Sequence, residues 1–196
     1  MADQPNGGEP RADRVVLVGM MGAGKTEVGR RLAAWLNDRD SGAGSSWAHL
    51  DTDAMVEEAT GRNVAELFSM DGEDAFREEE HRALVAALEV AGAAVVSAGG
   101  GVVVTEANRV LLRRAGTVVW LRARPETLAR RVGTGAGRPL LGTDPTTVLA
   151  ALVGKRAPLY EDVAREVVDV DGRTVGEVVD LVAAAVGDHA GVRRRR

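Results

Sequence analysis

The chain has 196 residues, enough for one domain with a full hydrophobic core and small insertions but cramped for two. Its 25 Lys and Arg stand against 29 Asp and Glu, a formal charge of −4, so no global basic field points to nucleic acid or a membrane as the main partner, and any positive site has to be local. The absence of cysteine excludes disulfides, thiolate metal sites and a cysteine nucleophile, and makes a reducing cytoplasm the simplest compartment.

Residues 1–13, MADQPNGGEPRAD, lack the apolar run of a signal peptide and read as a polar tail. The apolar run Val15 to Val18 predicts a strand buried on both faces, and Val28, Leu32 and Leu36 recur at helical spacing after Thr26. Between strand and helix, Gly19, Gly24, Lys25 and Thr26 fit GxxxxGK followed by Ser or Thr, the phosphate-binding loop. Glycines let successive backbone N–H groups converge on an anion, and the new helix adds its unpaired N–H groups and positive dipole end. Gly22, Ala23, Gly24, Lys25 and Thr26 are therefore the nucleotide-binding candidates, with Lys25 on the β and γ phosphates and the Thr26 hydroxyl on a magnesium ion.

Arg39 to Ser46 reads as a flexible loop, followed by a strand over Ala48 to Leu50. Asp51 and Asp53, in LDTD, fall at a strand end where they could face bound phosphates, although either alone fits a helix N-cap. In DAFREEEHRALV, Arg77 and Glu80 share a helix face, which by itself is commonly a solvated ion pair. Ala83 to Thr105 contains one charge, Glu89, but its glycines divide it into a helix ending near Ala91 and a buried strand at Ala94 to Ser97, not a membrane span. Gly99, Gly100 and Gly101 follow; they allow close approach of backbone to a ligand, and an ordinary turn would use them as well.

A fourth strand is expected at Thr117 to Leu121, and Gly133 to Thr143, a glycine-hinged loop carrying Arg138, has the composition of a mobile lid or of a plain surface loop. In GKRAPLY, Arg156 is read as closing a helix just before Pro158, a place that also suits a cation for dipole reasons. Val167 to Val168 is the fifth apolar run, and 190–196 form a basic tail. Five short runs alternating with amphipathic stretches mean βαβ units and a parallel sheet covered by helices. His49, His81 and His189 are read as structural or surface residues.

Together GMMGAGKT, LDTD, FREEE after DGE, SAGGG, RPLL and KRAPLY, in this order from about Arg14 to Asp188, resemble the shikimate kinases, small P-loop enzymes related to the nucleoside-monophosphate kinases. The resemblance implies a three-layer αβα P-loop kinase fold with a five-stranded parallel sheet, a substrate-binding helical insertion at about 51–82 and a lid at about 133–143, all within one domain spanning 14–189. It implies ATP-dependent phosphorylation of shikimate to 3-phosphoshikimate, with Mg2+, in aromatic amino-acid biosynthesis, by a cytoplasmic monomer with no nucleic-acid or membrane partner. By resemblance, Asp53, Arg77, Gly99, Gly100, Gly101 and Arg156 bind shikimate, the two arginines holding its carboxylate, as bidentate guanidinium pairing suits. Lys25 and Arg138 meet phosphates, Thr26 and Asp51 surround Mg2+, Glu80 supports Arg77, and Arg131 and Arg173 line the adenine pocket. Lys25, Asp53 and Arg138 are the implied catalytic set. The alternatives are a related kinase acting on a sugar acid or a nucleoside monophosphate, and a nucleotide-binding regulator without acceptor chemistry.

Overall fold

The computed structural model describes residues 13–39, 46–133 and 144–189. Five parallel strands form one sheet in the order β2-β3-β1-β4-β5: β1 is Arg14–Val18, β2 Ala48–Asp51, β3 Ala94–Ser97, β4 Thr117–Arg122 and β5 Glu166–Asp169. Each expected run is a strand. β1 lies at the centre, and Val15, Val16, Leu17 and Val18 are fully buried, which is why its sequence shows no polar alternation. Asp13 is not part of the expected tail in full, because its carbonyl accepts the Ala94 amide at 3.0 Å and extends the sheet.

Helix α1 (Lys25–Arg39) begins inside the phosphate-loop motif and packs against α8 (Val175–His189) on one side of the sheet. Arg39 is still helical; the remainder of the expected loop, 40–45, lies outside the described residues. The other layer contains α4 (Gly72–Glu89), α5 (Glu106–Leu112) and α7 (Pro145–Val163), with α7 against β4 and α6 (Pro125–Val132) against α7. Helix α4 stops at Glu89, two residues before the expected end. There buried Arg14 donates to the carbonyls of Leu88, Val90 and Gly92, satisfying groups that a helix end leaves open.

Helices α2 (Thr52–Thr60), α3 (Val64–Met70) and the first turns of α4 form the helical insertion, with a core of its own in Val56, Leu67, Phe76 and Ala83. Local chemistry sets its corners. Asp51 caps α2 by accepting the Asp53 and Ala54 amides, Gly61 closes it in a left-handed conformation, and Asn63 with Glu66 forms a capping box on α3.

Helix α7 departs from expectation. Arg156 does not close a helix before Pro158: the helix runs through the proline to Val163. An interior proline removes one N–H bond and costs ~3 kcal/mol. Burial of Leu149, Tyr160 and Val163 on the same helix offsets it, at ~1.5 to 3 kcal/mol for each large apolar side chain.

Candidate active site

The carboxyl ends of β1, β2 and β3 open into a cleft of about 770 Å³. One wall is the loop from Gly19 to Thr26. Gly19 holds φ at +141°, and a Cβ there would lie 2.5 Å from the Leu121 carbonyl oxygen, so only glycine fits where the chain leaves β1. Lys25 turns its ammonium back onto the loop, Nζ donating to the carbonyls of Gly19 at 2.9 Å and Met20 at 3.2 Å. Thr26 Oγ1 donates to Asp51 Oδ2 at 2.6 Å, joining the start of α1 to the end of β2. Asp51 therefore does both things its position allowed: one oxygen caps α2 and the other meets the phosphate loop.

The opposite wall comes from α4, the glycines after β3, and α7. Arg77 and Glu80 are not the solvated pair their spacing suggests: Glu80 is 1% exposed and accepts Arg77 Nη1 at 2.7 Å, while Glu73 takes the other side of the guanidinium. Burial pushes the Glu80 carboxyl up from its ordinary value, and the Arg77 charge beside it only partly reverses the rise. Burial disfavours the Arg77 cation, but Glu80 and Glu73 outweigh it and hold the guanidinium above its usual range. Glu80 Oε1 is one of two buried side-chain polar atoms without a hydrogen-bond partner among the described residues.

The three glycines run between these groups. At Gly99 the space a Cβ would take is bounded by Asp53 Oδ1 and Glu80 Oε1, each 2.7 Å away, so both carboxylates converge there. At Gly101 a Cβ would fall 2.0 Å from Arg77 Nη1, so the backbone can pass the guanidinium only without a side chain. Arg156, 7% exposed and in mid-helix, donates Nη1 to the Gly100 carbonyl at 3.0 Å.

Asp51, Asp53, Lys25, Thr26, Arg77 and Arg156 thus all border one cleft. Arg131 borders it too, close to the Gly22 and Ala23 carbonyls and donating to the Val170 carbonyl at 3.1 Å. Arg173 is not among the cleft-lining residues; its Nε donates to the Asp169 carbonyl at the turn after β5. Arg138 and the rest of the expected lid after Gly133 lie outside the described residues.

Sequence reasoning missed several supports. Ser97 Oγ donates to the Lys25 carbonyl at 2.9 Å and pairs with His49 Nε2 at 3.0 Å, tying β2 and β3 to the first turn of α1. Thr52 Oγ1 accepts the Gly99 amide at 2.9 Å. Both residues lie inside quoted motifs, Ser97 in SAGGG and Thr52 in LDTD, and that membership was their only signal in the sequence.

A phosphate loop that faces a buried cationic pocket across a single cleft, on a parallel sheet of order 2-3-1-4-5, is the arrangement of a small P-loop kinase whose acceptor is an anion. The family model described as shikimate kinase matches residues 21–186. A shikimate kinase of Moorella thermoacetica is 44% identical over 173 residues, covering 88% of this chain and 93% of the relative, and one of Frankia casuarinae is 47% identical over 174 residues, covering 88% and 72%. Among solved structures, the shikimate kinase from Acinetobacter baumannii in complex with shikimate matches with a TM-score of 0.80 at 32% identity, over 89% of this chain and 93% of that one. The chain belongs to the shikimate kinase family, and it is an enzyme that uses ATP to phosphorylate shikimate.

Proposed function

We propose that each wall of the cleft serves one substrate: the loop from Gly22 to Thr26 and Arg131 hold ATP, while Arg77, Arg156 and the backbone of Gly99, Gly100 and Gly101 hold shikimate. The observation that carries this division is the buried Arg77–Glu80 pair facing Asp53 and Arg156 across the glycines. Two guanidiniums suit the carboxylate of the acceptor, and Asp53 suits its hydroxyl.

In the reaction, the acceptor hydroxyl oxygen forms a bond to the γ phosphorus as the bond from that phosphorus to the bridging oxygen breaks. ADP leaves, and the hydroxyl proton passes late to Asp53. Phosphoryl transfer needs chiefly positioning and charge stabilisation. Lys25 supplies a cation to the phosphoryl oxygens, Asp53 orients the nucleophile, and Arg138, outside the described residues, is assigned to the phosphates by its place in the family pattern. Arg173 is assigned to the adenine pocket on the same ground.

Thr26 and Asp51 fit Mg2+. Both offer hard oxygen donors beside the phosphate loop, the donor type that Mg2+ takes. When bound, Mg2+ supplies charge neutralisation at the phosphates. The reading also covers one domain over 14–189 acting as a cytoplasmic monomer that makes 3-phosphoshikimate for aromatic amino-acid biosynthesis. In its support, both described walls of the cleft come from one chain; no helix among the described residues is long and apolar enough to cross a membrane.

The test follows ADP release with ATP and Mg2+, offering shikimate, gluconate, AMP or no acceptor in turn. Shikimate-dependent ADP is expected; activity with another acceptor and none with shikimate would overturn the assignment.

A further inference from the structure

The tyrosine of GKRAPLY has no part in the chemistry above and does not line the cleft, yet its hydroxyl reaches the backbone of the glycine strip that does. Tyr160 is fully buried, its ring stacked on Trp120 with centroids 5.5 Å apart. Its hydroxyl donates to the Gly100 carbonyl at 2.7 Å and lies 3.6 Å from Met20 Sδ in the phosphate loop. Arg156 precedes it by four residues, on the same face of α7, and donates to the same carbonyl. One peptide oxygen therefore takes both donors.

That carbonyl belongs to the glycine strip that separates the two guanidiniums. On its Gly101 side the strip abuts Arg77, on its Gly99 side it abuts Asp53 and Glu80, and at Gly100 it meets Arg156. Arg77 is held on α4 by Glu80 and Glu73, so the spacing between the two guanidiniums depends on where Gly100 holds Arg156 against the Gly101 backbone that abuts Arg77. Without side chains the strip is positioned through its backbone: Thr52 accepts the Gly99 amide, and the Gly99 and Gly101 carbonyls accept the Val102 and Val104 amides, while the Gly100 carbonyl is held from α7. Arg156 alone is a poor anchor, since its fork is also needed by the ligand. Tyr160 is rigid by comparison: its ring is clamped between Trp120 and the core and has only two side-chain torsions to order.

We propose that Tyr160 is a positioning residue of the acid pocket, its hydroxyl pinning the Gly100 carbonyl and thereby fixing the distance between the Arg77 and Arg156 guanidiniums for the substrate carboxylate. Burial pushes the Tyr160 hydroxyl well above its ordinary range, with the nearby Arg156 opposing, so it remains a donor throughout the working pH range.

The proposal rests on the assignment of shikimate to this wall, and the experiment separates the two. Wild type is assayed first with shikimate as acceptor; absence of shikimate-dependent ADP there defeats the assignment of function, not the role of Tyr160. Tyr160→Phe keeps the ring, its stacking and its burial and removes one oxygen. Leu149→Ala, also in α7, fully buried and seven residues before Arg156, reports what loosening the helix alone does. For Tyr160→Phe the shikimate KM is expected to rise by about five- to twentyfold, with the ATP KM unchanged within about twofold and kcat within about threefold, as for loss of an interaction that aids binding rather than chemistry. Leu149→Ala is expected to lower Tm by several degrees, with the shikimate KM within about twofold of wild type. Should Tyr160→Phe leave the shikimate KM at the wild-type value, raise both KM values alike, or do no more than Leu149→Ala at equal loss of Tm, Tyr160 is structural only.

Discussion

The two walls of the cleft differ in how they are assembled. The phosphate wall is chiefly one stretch of chain, Gly19 to Thr26, tied to its neighbours by the Thr26–Asp51 and Ser97–Lys25 hydrogen bonds and edged by Arg131. The acid wall draws Arg77, Gly100, Arg156 and Tyr160 from three separate segments, and its polar groups are buried: Glu80 is 1% and Tyr160 0% exposed. A backbone cradle for phosphate needs glycines and a helix N-terminus, which neighbouring residues supply. A pocket that reads a carboxylate by its shape needs guanidiniums converging from different directions, and only tertiary packing brings those together.

The largest expected effect tests the seam between the walls. Asp53→Asn keeps size and one acceptor oxygen but removes basicity, and kcat should fall by ~10²- to 10⁴-fold with no recovery on raising Mg2+. Asp51→Asn should instead weaken metal and ATP use and recover in part as Mg2+ is raised. A Mg2+ titration of kcat for both variants decides it: equal rescue would mean that the two aspartates do not divide their labour between the walls.

Next come the guanidiniums. Arg77→Ala or Arg156→Ala should raise the shikimate KM by tens-fold or more and leave ATP binding nearly intact, since losing a desolvated charged partner costs ~2 to 5 kcal/mol. Equal losses for both substrates would show that the walls are not independent.

A smaller effect should appear in stability. Because the folded chain raises the Glu80 carboxyl above its unfolded value, it holds that proton to higher pH than the unfolded chain does. Stability should fall as pH rises from the ordinary glutamate range through the raised value, since the folded state binds more protons across that window. In Glu80→Gln this slope should vanish. Urea unfolding of both proteins across pH 4 to 8 measures it, and identical pH profiles would remove Glu80 as the source. At the low end, deleting Arg193 to Arg196, which lie outside the described residues, should leave kcat/KM within about twofold; a tenfold loss would assign them a catalytic part.

The contrast also explains what could be read in advance. The five strands and the phosphate loop were legible because period and punctuation are local: Val15 to Val18 announces a buried strand and GAGKT the turn after it. Arg77 with Glu80 and Arg156 each carried a blander reading, a solvated pair and a helix end. Spacing alone cannot report burial, and both readings failed once α4 and α7 closed over the glycines. The anchoring of Ser97 on Lys25 and of Tyr160 on Gly100 left no pattern, because the partners of each are 72 and 60 residues apart.

The sequence by itself determined the layers of the fold, the place of the phosphate loop and, through six ordered motifs, the family. These are properties of short segments, where backbone conformation follows from residue type and apolar period. Tertiary structure alone decided that α7 continues through Pro158, that the Arg77–Glu80 pair is buried, and that Gly100 receives both Arg156 and Tyr160. Each depends on a balance between the cost of desolvating or distorting one segment and the gain from packing it against another, and neither side of that balance is written in the segment alone.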